Sequence, residues 1–216
     1  METGEVIVTK YTIRKEDCDT LGKILKGTDY TPERLVEERK ITVDEDGYVI
    51  GLSLNNLEDT GNCTGTEGYD YLPGKKLDLP QENYRWIKEL TKLEFLDLTA
   101  QYLGEKEVNY EFLRKLPIKE LVLRWNELTK EDLHRLFEGI GDLSKLERLD
   151  LRDNRISPKD LMKELGYAIE ETEKRIDKST QCNITIFFGS ITDFSEDKIN
   201  LKMKIIKPEQ YRSDEE

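Results

Sequence analysis

The residues best suited to covalent chemistry are a cysteine and the chain's one histidine, and they give little support to catalysis. Cys63 lies in a glycine-rich stretch, where a reactive thiolate would need a neighbouring histidine or basic cluster to lower its pKa. None is near it in the sequence, and His134 falls on a predicted helix. Phosphate-binding glycine motifs, zinc-ligand spacings and dinucleotide fingerprints are also missing. We therefore predict no enzymatic activity, no catalytic residue, and neither a metal ion nor a cofactor.

A second group of residues suits the noncovalent binding of a protein. Arginine and aromatic side chains are the types enriched at binding hot spots. The chain carries them beside acidic residues in short segments that share one sequence pattern. The candidate binding residues are Phe95, Asp97, Glu120, Arg124, Trp125, Arg148, Asp150, Arg152 and Phe187. Their positions depend on the elements that this pattern forms.

The pattern is Leu-x-x-Leu-x-Leu-x-x-Asn-x-Leu, and it is clearest in segment 146–156. It recurs in segment 118–128 and, with Gln101 at the asparagine position, in segment 93–103. Self-similar segments indicate that the fold is built from stacked repeats, which present an extended binding surface.

Each copy predicts a strand followed by a turn. Leu149 and Leu151 alternate along a strand, so both point into a core and the residues between them face solvent. The amide side chains of Asn126 and Asn154 can bond neighbouring backbone groups where the chain leaves the strand. Stacked copies would therefore form a ladder of such bonds along one edge.

These segments resemble leucine-rich repeats, a family in which parallel strands line the concave face of a horseshoe and helices lie on the convex face. The resemblance covers about residues 48 to 192. The helical segment after each strand is similar to the helix-bearing class, as in ribonuclease inhibitor and the activators of the Ran GTPase. The resemblance implies an α/β leucine-rich repeat solenoid, a short horseshoe with an N-terminal helix and hairpin cap. Leu57, Gln101 and Gly189 depart from the expected asparagine and leave the number of full repeats open.

Residues 1–47 are expected to form the cap, because the first repeat would otherwise expose its apolar side. Alternation predicts a strand over residues 6–13, and apolar spacing predicts a helix over residues 16–25. A second helix is predicted with Thr31 as its N-cap, Pro32 at its first position and its end at Lys40. Asp46-Gly47 between two alternating runs predicts a hairpin that leads into the array.

The array is expected to span residues 48–206 and to be followed by a mobile acidic tail over residues 207–216. The lysine-rich alternating run at 199–205 predicts an edge strand that ends the sheet. Further predicted elements are a loop over 58–76, a degenerate strand at 77–79, a short helical turn at 83–90, helices over 105–116, 129–140 and 157–178, and a strand at 183–188.

Strands that stack in register would align their outward residues in columns. The middle column is expected to contain Ser53, Asp78, Asp97, Val122, Asp150 and Thr185. Phe187 is expected beside Arg152, and Asn183 beside Arg148. We hypothesise that this face binds another protein, with Arg124, Trp125, Arg148 and Arg152 as anchors. In this hypothesis Asp97 and Asp150 select a basic element of the partner.

Other interpretations of the same residues stay open. The arginines could pair with acidic residues on adjacent strands and merely keep the face soluble, and Trp125 could cover the edge of the core. The principal functional alternative, implied by the resemblance, is a regulator of an enzyme, either a GTPase activator or an inhibitor-type leucine-rich repeat protein. A third interpretation is a catalytic protein that uses Cys63.

Charge and cysteine content limit the class of protein. The net charge of −12 argues against binding nucleic acid, which needs a basic surface, and against anionic membranes. No apolar run approaches the roughly 20 residues of a membrane-spanning helix. The three cysteines are odd in number and far apart, so we expect reduced thiols. We expect a cytoplasmic monomer.

Overall fold

The computed structural model describes residues 7–8, 11–59, 71–73, 77–175, 180–189 and 197–205. Within these residues the chain is an α/β protein, as predicted, and its largest sheet has seven strands. The strands are β1 (Ile7–Val8), β2 (Tyr11–Thr12), β3 (Ile41–Val43), β4 (Val49–Ser53), β5 (Leu57–Asp59), β6 (Tyr71–Pro73), β7 (Phe95–Asp97), β8 (Glu120–Val122), β9 (Arg148–Asp150), β10 (Thr180–Phe188) and β11 (Asp197–Ile205). The α-helices are α1 (Lys15–Ile24), α2 (Pro32–Glu37), α3 (Lys130–Ile140) and α4 (Pro158–Arg175), and 3₁₀ helices span Gln81–Glu89, Tyr110–Leu113 and Leu143–Lys145.

The seven-stranded sheet has the order β3-β4-β7-β8-β9-β10-β11. Its central strands, from β4 to β10, are parallel, and an antiparallel strand closes each end. At one end the predicted hairpin is confirmed: β3 and β4 pair, and Gly47 in the connection has a φ of 81°. At the other end β11 is the terminal strand, as its alternating pattern predicted.

The core lies on one side of this sheet. Leucines at one repeated position are aligned across the parallel strands and buried, and Ile186 takes the same position in β10. The aligned leucines are Leu52, Leu96, Leu121 and Leu149. Leu133 and Leu136 of α3 and Leu161 and Leu165 of α4 belong to the same core cluster, so the helices cover this side.

A ladder of buried amide side chains fixes the turn after each strand, as predicted. Asn126 Oδ1 accepts from the Gln101 N–H (2.8 Å), and its Nδ2 donates to the Leu98 carbonyl (2.8 Å). Asn154 repeats this arrangement one strand later, with the Asn126 N–H (3.1 Å) and the Leu123 carbonyl (2.8 Å). These bonds satisfy backbone groups that would otherwise be buried without a partner.

The segment before Leu77 is an insertion between two adjacent strands of the sheet, β4 and β7, and the predicted strand at residues 77–79 is wrong. β4 pairs directly with β7, and Leu77 and Leu79 are buried outside the sheet. The Leu77 N–H donates to Asn56 Oδ1 (3.1 Å), and the Leu79 N–H donates to Gln101 Oε1 (3.0 Å). These two hydrogen bonds therefore attach residues 77–79, which follow the insertion, to the amide ladder.

Two features explain why residues 77–79 do not form the predicted strand. Gln101 is longer than asparagine, and its Nε2 donates to the carbonyls of both Leu54 (2.5 Å) and Leu77 (2.7 Å), across the insertion point. The predicted loop over residues 58–76 begins and ends in the antiparallel pair β5 and β6, and most of it lies outside the described residues.

Helix predictions had mixed outcomes. α1 and α4 are confirmed over their described residues, and α3 begins with the predicted capping box of Thr129 and Asp132. The helix predicted over residues 105–116 is wrong, since this stretch contains turns and the 3₁₀ helix Tyr110–Leu113, although its apolar side chains are buried as expected. The second helix begins at Pro32 with Thr31 as its N-cap, as predicted, but ends at Glu37 and not at Lys40, because Arg39 takes a left-handed conformation (φ 56°).

The remaining predictions concern the short N-terminal strand and the tail. The strand predicted over residues 6–13 is instead an antiparallel pair, β1 and β2, of two residues each. The predicted acidic tail at residues 207–216 lies outside the described residues.

Candidate functional site

The outer face of the sheet, opposite the leucine core, carries three rows of side chains across the parallel strands. The first row is Gly51, Phe95, Glu120, Arg148 and Thr185. The middle row is Ser53, Asp97, Val122, Asp150 and Phe187. The third row, aligned by backbone hydrogen bonds from the following turn, is Asn55, Thr99, Arg124, Arg152 and Gly189. The candidate binding residues therefore lie on one face, except for Trp125, which begins the turn after β8.

The predicted columns are wrong at two strands. Residue Asp78 is absent from the middle row because segment 77–79 is not a strand. In β10 the register is displaced by two residues, so Phe187 lies beside Asp150 and Thr185 beside Arg148. Gly189 consequently occupies the arginine position of the third row and does not replace an asparagine. The sequence alone offered two equivalent alignments, because apolar residues alternate through the whole of β10.

Asp150 is the centre of the charged cluster on this face. Its side chain is only 1% exposed, although it points away from the leucine core. Arg152 donates to both oxygens, from Nε to Oδ1 (2.9 Å) and from Nη2 to Oδ2 (2.6 Å). Such a two-pronged, charge-assisted pair compensates the cost of burying the carboxylate.

Arg148 is held between acidic groups and an aromatic ring. Its Nη1 lies 3.1 Å from Glu120 Oε1, and its Nη2 lies 3.8 Å from Asp150 Oδ2. The guanidinium carbon is 4.8 Å from the centre of the Phe187 ring, a cation–π distance. The side chain is nevertheless 42% exposed, so one side of the guanidinium remains open to a ligand.

Arg124 is the arginine with the fewest partners on this face. Its Nε is 3.9 Å from Asp150 Oδ2, too far for a hydrogen bond, and is buried without a partner among the described residues. The same part of the chain offers no hydrogen-bond partner to its two terminal nitrogens. The side chain is 33% exposed, so its terminal nitrogens, unlike Nε, are open to solvent.

Trp125 adjoins Arg124 in sequence and is partly exposed. Its backbone is left-handed (φ 54°), as it is at Ala100 and Asp153, the residues that precede Gln101 and Asn154 in the ladder. This conformation is unusual for a bulky residue and is imposed by the turn that the amide ladder holds.

Asp97 lies apart from the arginines in a neutral pocket of hydroxyl and amide groups. Oδ1 accepts from the hydroxyl of Thr99 (2.6 Å) and from its N–H (2.9 Å), and Oδ2 accepts from the Ser53 hydroxyl (2.9 Å). The side chain of Lys40 lies nearby and donates to the carbonyl and side-chain oxygens of Asn55 (both 3.2 Å). Burial lowers the pKa of Lys40, and the charges of Glu38 and Asp97 oppose this effect.

The burial of the acidic residues argues against the role predicted for them. Asp97 is 7% exposed and accepts hydrogen bonds from Ser53 and Thr99, and Asp150 is 1% exposed and accepts hydrogen bonds from Arg152. Neither carboxylate is available to select a basic element of a partner.

The arrangement divides the predicted anchors into two kinds. The pairing interpretation fits Arg152, which is 11% exposed and bound to Asp150, and fits Arg148 in part. Arg124 and the open side of Arg148 keep their capacity to bind a ligand. Phe95 lies in the first row beside Glu120 and is partly buried.

Sequence reasoning missed the contribution of four residues. Ser53, Thr99 and Lys40 form the surroundings of Asp97, and Val122 is an apolar position between Asp97 and Asp150 in the middle row. The alternation of the strands places Ser53, Thr99 and Val122 on the outer face, but it does not show which of them contact Asp97. Lys40 could not be found in this way, because it precedes the antiparallel strand β3.

The other candidates for chemistry are separate from this face. His134 lies on α3, with Nδ1 3.1 Å from Glu164 Oε2 and Nε2 3.7 Å from Glu138 Oε1. Cys63 lies outside the described residues, and burial raises the pKa of the partly buried Cys18 thiol. Among the described side chains, no three His, Cys, Asp or Glu residues are grouped so that they could hold a metal ion. The described helices include none long and apolar enough to cross a membrane.

Comparisons of the chain with protein-family models, with curated proteins and with solved structures found no significant match.

Proposed function

We propose that this chain is a leucine-rich repeat solenoid that binds another protein through the outer face of its sheet. The aligned leucines, the buried amide ladder and the helical segments on the core side support the repeat architecture. Each parallel strand contributes one outward residue to each row, so the array offers a continuous surface.

One observation carries the binding proposal. In the middle of the outer face, the guanidinium groups of Arg124 and Arg148 retain exposed donors, and that of Arg148 lies beside the partly exposed ring of Phe187. A face that served only solubility would have its charges in open solvent or fully paired. Exposed arginine next to aromatic surface is the composition typical of a binding hot spot.

Photo-crosslinking from defined positions tests this proposal. A photoreactive benzophenone amino acid is introduced at Asn183, an exposed position of the outer face on β10, and separately at Tyr167, an exposed position of α4. In lysate of the source cells, we expect position 183 to give a crosslinked protein that excess unlabelled chain competes away. Saturable crosslinking from position 167 alone, or from neither position, would contradict binding through the outer face.

The other expectations from the sequence stay predictions. Nothing in the described residues favours the regulation of an enzyme over simple binding. The cytoplasmic location and the monomeric state also remain predictions.

A further inference from the structure

The charge that the outer face presents to a partner is opposite to that of the whole chain. The chain has a net charge of −12. On the outer face, however, Arg124, Arg148 and Arg152 surround the carboxylate of Asp150, and Glu120 lies 3.1 Å from Arg148. Asp97 and Asp150, two of the three carboxylates in the rows, are almost fully buried, so the charged groups exposed there are those of Arg124, Arg148 and Glu120.

The buried position of the acidic residues determines which charge a partner meets. Asp150 has its two oxygens bound by Arg152, and Asp97 has its oxygens bound by Ser53 and Thr99. A cationic side chain approaching this face would meet the arginines before it met a free carboxylate. An anionic side chain would meet the exposed guanidinium N–H groups of Arg124 and Arg148.

The donors suit carboxylates more than any other part of a peptide. The terminal nitrogens of Arg124 have no hydrogen-bond partner among the described residues, and the exposed guanidinium of Arg148 adjoins the ring of Phe187. Arginine binds carboxylates with paired, charge-assisted hydrogen bonds. Phe187 is partly exposed and offers apolar contact beside Arg148.

We propose that the partner presents an acidic peptide segment whose carboxylates bind Arg124 and Arg148 while an apolar side chain packs on Phe187. This inference rests on the proposed function and adds the chemistry of the partner. A peptide is favoured over nucleic acid, since the net negative charge of the chain repels a long polyanion whereas a short acidic segment meets only the local surplus of arginine.

Selection from a display library of random short peptides tests the inference. The chain is the bait, and two double variants are compared with it. R124E/R148E reverses the two exposed arginines. The matched control K159E/K163E makes the same change in net charge at two exposed lysines of α4, on the core side of the sheet. The melting temperature of each variant establishes that it is folded.

We expect the selected peptides to be enriched in Asp and Glu together with one large apolar residue. Their affinity should fall by about tenfold or more in R124E/R148E, since each lost charge-assisted hydrogen bond is strong, and should be unchanged in K159E/K163E. Their binding should also weaken as salt concentration rises.

The outcomes separate the inference from the proposed function. Neutral or basic peptides that crosslink to position 183 would overturn the acidic partner and leave the outer face as the binding surface. Peptides unaffected by R124E/R148E and without crosslinks to position 183 would overturn both, as would the absence of any enriched peptide. Tighter binding of a single-stranded RNA oligonucleotide than of any peptide, lost in R124E/R148E, would assign the arginines to nucleic acid and overturn the inference.

Discussion

Arg152 binds both carboxylate oxygens of Asp150 from two positions further along the same strand and turn, at 2.9 and 2.6 Å. The pair is almost fully buried on a face that the sequence predicts to be open to solvent. It holds a negative charge beneath Arg124 and Arg148 and so places their guanidinium groups at the surface. On the outer face, therefore, the buried Asp150–Arg152 pair lies beneath the exposed guanidinium groups of Arg124 and Arg148.

Loss of the buried carboxylate is expected to be costly. Asp150→Asn would leave Arg152 with a buried charge and one oxygen acceptor in place of two. We expect unfolding free energy to fall by about 3 kcal/mol, the lower end for a broken buried ion pair. Urea denaturation measures this change.

The matched control is Glu120→Gln, which breaks the more exposed pair with Arg148. It should cost less than about 1 kcal/mol, as is usual for surface pairs. Equal effects of the two substitutions would mean that burial of Asp150 contributes nothing to the stability of this face.

Gln101 offers a test of how the ladder spans the insertion. Gln101→Asn introduces the residue found at positions 126 and 154, yet we expect it to destabilise the chain by roughly 1–3 kcal/mol. The shorter amide cannot bond Leu54, Leu77 and Leu79 together as glutamine does. Asn109→Gln, at an exposed turn, is the control for the exchange of these two amides. A stabilised Gln101→Asn variant would show that residues 77–79 do not depend on Gln101.

Two helical glycines should respond in opposite directions to alanine. A Cβ at Gly139 of α3 would lie 2.5 Å from the carbonyl oxygen of Tyr110, so Gly139→Ala should destabilise by about 1–3 kcal/mol. A Cβ at Gly166 of α4 meets nothing within 4 Å, and Gly166→Ala should stabilise by roughly 0.5–1 kcal/mol. Thermal unfolding of both variants provides the comparison, and two shifts of the same sign would be inconsistent with the packing of α3 on the 3₁₀ helix Tyr110–Leu113.

Much of this architecture could be predicted, because alternating leucines report directly which side of a strand is buried. The hairpin at Gly47, the capping box at Thr129 and the asparagine ladder follow from local residue types. The burial of Asp150 could not be predicted, since it depends on how Arg148 and Arg152 of its own segment and Arg124, which follows β8, fold around it. The position of Leu77 could not either, because its amide partner Asn56 lies before the insertion.

The carboxyl group of Asp17 in α1 should give a measurable dependence of stability on pH. Burial raises the pKa of Asp17, and the Val49 N–H, which donates to Oδ2 at 2.8 Å, opposes the rise. A carboxyl whose pKa is higher in the folded chain contributes stability that is complete below its unfolded pKa of about 4 and is lost as pH rises through the folded pKa.

Asp17→Asn keeps an oxygen acceptor for the Val49 N–H and removes the titration. We expect the variant to be more stable than the parent chain at neutral pH and the gain to vanish below the unfolded pKa. Urea midpoints at a series of pH values measure the difference, with the exposed Asp19→Asn as control. A gain that persists in acid would attribute the effect to packing and not to charge.

The most direct test of the central claim, that exposed arginines on the outer face bind an acidic segment, is a charge-swap titration. An acidic peptide selected on the chain and its copy with every Asp and Glu replaced by Lys are titrated calorimetrically into the parent chain and into R124E/R148E. The account predicts that the parent chain binds the acidic peptide more tightly and that R124E/R148E reverses this order. Both proteins ranking the two peptides in the same order would contradict it.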